Sequence, residues 1–224
     1  MFGISRLDSL LRNLEGKNIL MLGPPGQEKL LLGLKYIHEG LENGKNAAIV
    51  TTDLSPIEIE TKAQEMSWNF KESVNKRLKY VDCYSWALAG GKVEGRKDII
   101  VSGPSALNDL SIGITQAVQE FYKPNVKIKI LFNSLSTLLL YNQPEIVYRF
   151  TQITGARLKA INATSLFLMD EGMHEEKTIT TVKHLMDFVF EIKAEEDKLK
   201  LMFTASGNIV KLELRISPVG INVV

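Results

Sequence analysis

Between residues 18 and 193, short apolar runs alternate with longer segments of helical period, and this alternation constrains the fold more than any other feature of the chain. The runs at 18–22 (NILML), 47–52 (AAIVTT), 80–84 (YVDCY), 126–132 (VKIKILF) and 163–169 (ATSLFLM) are bounded by Gly, Pro or charge, as buried strands are. Between them, Leu30, Leu34, Ile37 and Leu41 mark one helical face, which stops at Asn43-Gly44. Leu107, Leu110, Ile114, Val118 and Phe121 mark a second face, and Ile146, Phe150, Ile153 and Leu158 a third. Such alternation predicts an α/β fold, a parallel sheet covered by helices, in which ligands bind beyond the carboxyl ends of the strands. After Asp187 the pattern changes. Residues 188–193, 199–204, 209–216 and 221–224 read as consecutive strands, and the alternation in KLELRI predicts one packed face and one wet face. The stretch 86–104, with Gly90-Gly91 and several charges, reads as a long surface excursion.

With 224 residues, 45% of them hydrophobic, the chain suits one compact domain spanning 1–224. Its 27 basic and 26 acidic side chains leave a formal charge of +1, which supplies no overall field to gather nucleic acid or anionic lipid. The lone cysteine, Cys83, cannot form an internal disulfide and reads as a buried structural thiol. Charges interrupt the N-terminal stretch before a signal-peptide core forms, and no apolar run approaches the roughly 20 residues that span a bilayer. A soluble, cytoplasmic protein is the expectation, with no membrane partner.

Residues 20–40 (LMLGPPGQEKLLLGLKYIHEG) begin as a phosphate-binding loop does, with an apolar strand, a tight Gly turn and a Lys opening an amphipathic helix. In the pattern GxxxxGK[ST] the second Gly lets the backbone approach the phosphates, the Lys neutralises them and the hydroxyl holds Mg²⁺. The candidate nucleotide-binding residues are Gly23, Pro24, Pro25, Gly26, Gln27, Glu28, Lys29 and Leu30. Glu28 stands in place of the second Gly, and Leu30 in place of the hydroxyl. At an effective dielectric near 20, a carboxylate about 5 Å from a phosphate charge is repelled by roughly 3 kcal/mol. That weakens binding about 100-fold unless the side chain points away. The bland alternative is an ordinary Pro-Pro-Gly turn before an ordinary helix.

The remaining motifs resemble the RecA superfamily and, within it, the KaiC-like ATPases common in archaea. The resemblance runs from Gly3 to Val224. It begins with Gly3, Leu7, Asp8, Leu10 and Leu11, similar to the family's GxxxLDxLL entry to the loop, and continues through GPPGQEK and Ser55-Pro56. VDCYS, VSGP and LNDLSI are similar to single-domain archaeal relatives. Asn133-Ser134-Leu135-Ser136 matches the DSLS of the second nucleotide motif, followed by Arg149-Phe150, Leu158-Lys159, His184-Leu185 with Asp187, and Pro218, Gly220, Ile221 and Val223. The resemblance implies a RecA-like P-loop core, mostly parallel and flanked by helices, with antiparallel C-terminal strands.

Departures from the family pattern fall on the chemistry. Where the resemblance implies a carboxylate in the Mg²⁺ shell, this chain has the neutral Asn133. Where it implies a pair of glutamates, one of them the water-activating base, the chain has Asp53 and Leu54; the shorter Asp53 arm falls about an ångström short, which can cost roughly 100-fold. The family's KMR segment, which reaches a neighbouring subunit's phosphates, aligns with Phe203-Thr204-Ala205. Hydrolysis needs metal, positioned water and charge stabilisation together. The expectation is therefore a pseudo-ATPase in which Asp53 and Asn133 are vestigial, Mg²⁺ is disfavoured and Glu28 acts as a built-in anion at the helix N-terminus. Self-association, or pairing with another RecA/KaiC-like protein, is the partner it implies. Two alternatives stay open: an ATP-binding nucleotide switch or slow ATPase with a reworked site, which keeps Lys29 and the backbone of residues 23–26 for phosphate contact with or without Mg²⁺, and a DNA-recombination accessory protein.

Secondary candidates are weaker. The stretch 170–174 (DEGMH) reads as a polar turn rather than a sensor or a Glu171–His174 metal pair. His38 and His184 read as surface or packing residues, and Ala194 with the acids at 195–197 as a solvated connection. Lys76, Arg77 and Lys79 form the best basic cluster, too short for a nucleic-acid stripe.

Overall fold

The computed structural model describes residues 1–11, 14–87, 96–122, 126–195, 198–205, 207–217 and 220–223. A helix α1 (Ser5–Leu10) precedes β1 (Asn18–Gly23), α2 (Glu28–Glu42), β2 (Asn46–Thr51), α3 (Pro56–Glu65), β3 (Leu78–Asp82) and β4 (Ile99–Ile100). Then come α4 (Leu107–Gln119), β5 (Ile128–Phe132), α5 (Leu135–Tyr141), α6 (Pro144–Ala160), β6 (Thr164–Asp170) and α7 (Glu176–Lys183). Strands β7 (Phe188–Glu195), β8 (Lys198–Ala205), β9 (Asn208–Ser217) and β10 (Gly220–Val223) follow. Among the described residues, ten strands join one sheet in the order β4-β3-β2-β5-β6-β1-β7-β8-β9-β10. The first seven in that order run parallel, and the pairs β7–β8, β8–β9 and β9–β10 are antiparallel.

Successive residues of a strand point to opposite faces, so a sheet covered on both sides needs two cores. Ile19 and Met21 of β1 enter a core with α2, α3, the N-terminal segment and the inner faces of β7–β10. Leu20 and Leu22 enter the other, packed by α4, α5, α6 and α7. The alternation expected in KLELRI is present: Leu212 and Leu214 are buried, while Lys211 and Arg215 are exposed. Helix α2 buries the predicted Leu34, Ile37 and Leu41, and Gly33 lets it lie close on β5, since a Cβ there would come within 2.8 Å of Leu131 Cδ1.

The face expected for α6 is rotated. Phe150 and Leu158 are buried as expected, but Ile146 and Ile153 are 50% and 43% exposed, and Val147, Thr151, Thr154 and Gly155 point inward in their place. Gly155 admits the Asn18 side chain, whose Nδ2 would meet a Cβ there at 2.4 Å or so, and small Thr residues fit beside it. The excursion at 86–104 contains β4, which pairs with β3; residues 88–95 lie outside the described residues. So do residues 196 and 197 of the acidic run, and Pro218 and Val224 of the closing segment. Among the described residues no helix is long and apolar enough to cross a membrane.

Candidate functional site

Parallel strands end on one edge of the sheet, so Gly23 of β1, Thr51 of β2, Phe132 of β5 and Asp170 of β6 deliver the segments that follow them to a common crevice. The register places Gly23 directly beside Asp170, and the Glu171 N–H donates to the Gly23 carbonyl at 2.7 Å. Residues 24–27 then turn the chain into α2, with the Leu31 N–H closing the first helical hydrogen bond onto Gln27 O at 2.9 Å. Gly26, Gln27, Lys29, Leu30, Asp53 and Asn133 share one pocket of about 240 Å³.

Lys29 is 5% exposed, and its ammonium has two partners in the protein. It pairs with Asp170 Oδ1 at 2.8 Å and donates to the Pro24 carbonyl. The carboxylate of Glu28, the half-buried first residue of α2, folds back over the exposed Gly26, into the space a side chain at 26 would fill, and Glu28 is not among the residues that line the pocket.

Asn133 is 7% exposed and is hydrogen-bonded through both ends of its amide. Its carbonyl oxygen accepts from the Thr52 N–H at 2.9 Å, with the Thr52 hydroxyl 3.2 Å away, and its Nδ2 donates to Asp53 Oδ1. Asp53 is an exposed residue at the pocket mouth whose carboxylate turns in against that amide. Partial burial there raises its pKa; the Asn133 bond opposes the rise, and the charges of Asp170 and Glu58 add to it.

The structure thus brings the loop residues, Asp53 and Asn133 together. It leaves Phe203-Thr204-Ala205 at the far end of β8, with Phe203 packed into the core. The polar-turn reading of 170–174 fits its outer residues but not Asp170, which is the counter-ion of Lys29. No local pattern in the sequence signals that pair, because it depends on β6 lying beside β1. His174 is half-buried with its Nε2 unpartnered among the described residues, and burial lowers its pKa. Lys62 of α3, another pocket residue missed in the sequence, reaches to 3.5 Å from Gln27 Oε1. The basic cluster is largely spent internally: Lys79 pairs with Glu120 at 2.6 Å and Arg77 donates to Leu41 O. His38 stacks on Trp68, and His184 caps the C-terminus of α7.

Comparison with known proteins agrees with this architecture. The sequence model of the family described as "ATPase: KaiC" matches residues 1–219. A UPF0273 protein of Methanopyrus kandleri is 24% identical over 198 residues, 87% of this chain and 76% of the relative. A UPF0273 protein of Saccharolobus solfataricus is 19% identical, covering 80% of this chain but only 62% of its own length. Among solved structures, a KaiC-like protein of Pyrococcus horikoshii superposes with a TM-score of 0.75 at 16% identity, over 94% of this chain and 90% of that one.

Proposed function

This chain belongs to the KaiC ATPase family, and from that premise we propose that it is a pseudo-ATPase, a RecA-like core kept as a regulatory or interaction module. Asn133 carries this reading. An octahedral Mg²⁺ needs oxygen ligands from the protein beside those of the phosphates. The Asn133 oxygen is held by Thr52, its nitrogen faces Asp53, and the Leu30 side chain offers no oxygen. The two carboxylates that line the pocket, Asp53 and Asp170, are turned to the Asn133 amide and to Lys29, so the site as built disfavours the metal.

Two further features support the reading. Lys29 already has its counter-charge in Asp170, and Glu28 brings a carboxylate to the helix N-terminus where phosphate would approach. The pocket, about 240 Å³, is also smaller than the roughly 300–1,000 Å³ of small-ligand sites. The partner we propose is a second copy or a related RecA/KaiC-like chain, engaged in the cytoplasm.

The reading is tested by extracting nucleotide from the purified protein and by assaying turnover. No copurifying nucleotide and no ATP hydrolysis are expected. Turnover abolished by Lys29→Ala would instead support the second reading, a nucleotide switch or slow ATPase with a reworked site. That alternative is favoured by one observation, the two lysines, Lys29 and Lys62, that line the pocket.

A further inference from the structure

On the face of the sheet remote from α2, helices α4 and α6 diverge and leave a groove of about 440 Å³. Its apolar lining is Ile114 and Val118 from α4 with Leu158 from α6 and Ile161 just after it, all buried or half-buried. Among the described lining residues only one carries a charge. Arg157 stands at the mouth, exposed, and its Nη1 donates to the Ser111 hydroxyl at 3.1 Å. Among the described residues no carboxylate pairs with it, so most of its donor fork is free for an acceptor. Thr115 and Ala160, both small, also line the groove and leave it unfilled.

An apolar slot within the size range of small-ligand sites, ending at one unpaired guanidinium, is complementary to a molecule with a hydrocarbon body and a single anionic head. We infer that the α4–α6 groove binds a free acyl carboxylate, its chain along Ile114, Val118, Leu158 and Ile161 and its head on Arg157. Nothing in this inference depends on the state of the nucleotide loop, which lies at the strand ends.

Calorimetric titration of the full chain with octanoate, and with 1-octanol as the headless control, tests it. Octanoate should bind saturably at one site per chain. Arg157→Gln should weaken octanoate about ten-fold while changing octanol less than about two-fold. Ala160→Trp, at an exposed position that fills the mouth without touching the core, should abolish both while the circular dichroism spectrum stays unchanged. Absence of saturable octanoate binding, or binding indifferent to either substitution, would overturn the inference. So would a groove that ignores octanoate but supports self-association, or adsorption to anionic vesicles, lost in Ala160→Trp.

Discussion

Lys29 and Asp170 meet at 2.8 Å although one opens a helix and the other closes a strand far along the chain. Their meeting follows from the sheet order, in which β1 and β6 are neighbours in register from Asn18↔Ser165 to Gly23↔Asp170. Asp170→Asn keeps the shape and removes the charge. Taking one partner from a buried pair costs about 3–5 kcal/mol. The Pro24 carbonyl still holds Lys29 and Asp170 is partly exposed, so the expected loss is about 2 kcal/mol. Urea denaturation with an unchanged m-value would register it.

Asn133→Asp tests the neutral amide directly. Burial raises the Asp53 pKa above its ordinary value, and the hydrogen bond from the Asn133 amide opposes that rise. A second carboxylate there should destabilise the fold by about 1–3 kcal/mol near pH 8. A carboxyl with a raised folded pKa binds protons that the unfolded chain does not, so the loss should shrink as pH falls through that pKa. A loss equal at pH 8 and pH 5 would show that the two groups do not interact.

Lys129 is a buried lysine on β5 whose ammonium reaches the carbonyls of Met1 and Tyr36 at 2.8 and 2.7 Å and lies over the Tyr36 ring. Burial, helped by the charge of Lys45, lowers its pKa from 10.5 to about 7. Between those values the unfolded chain holds a proton that the folded chain lacks, so stability from this group rises with pH across the window. Relative to Lys129→Met, the wild-type chain should gain up to about 1.4 kcal/mol per pH unit from about pH 7 to 10. Parallel stability profiles for the two chains would contradict this.

Cys83 is fully buried on the α4 side of the sheet, and burial pushes its thiol up to about 12. Since the thiolate is the reactive form, the native chain should resist iodoacetamide at pH 8 and take one label per chain in denaturant.

Much of the fold was legible because buried parallel strands announce themselves: nine strands fall within two residues of the apolar runs, and β4, two residues long, carries too little pattern to read. Helix α3 left a signal that went unused. Ser55-Pro56 with Glu58 forms a capping box, the Ser55 hydroxyl accepting from the Glu58 N–H while Glu58 accepts from the Ser55 N–H. On α6 the pattern misled, because bulky Ile146 and Ile153 face solvent while Thr151, Thr154 and Gly155 face the sheet. At the site, the identities of Glu28, Leu30 and Asn133 were plain from spacing. What each touches was not, because the Asn133–Asp53 and Lys29–Asp170 contacts join segments that only the sheet brings together.

The proposal of a dismantled triphosphate site is tested most directly by titrating Mg-ATP, side by side, into the parent chain and into the folded quadruple variant Glu28→Gly, Leu30→Thr, Asn133→Asp, Leu54→Glu. The account predicts no saturable binding by the parent up to about millimolar ATP and a clear gain in the variant. Micromolar, magnesium-dependent binding by the parent would contradict it.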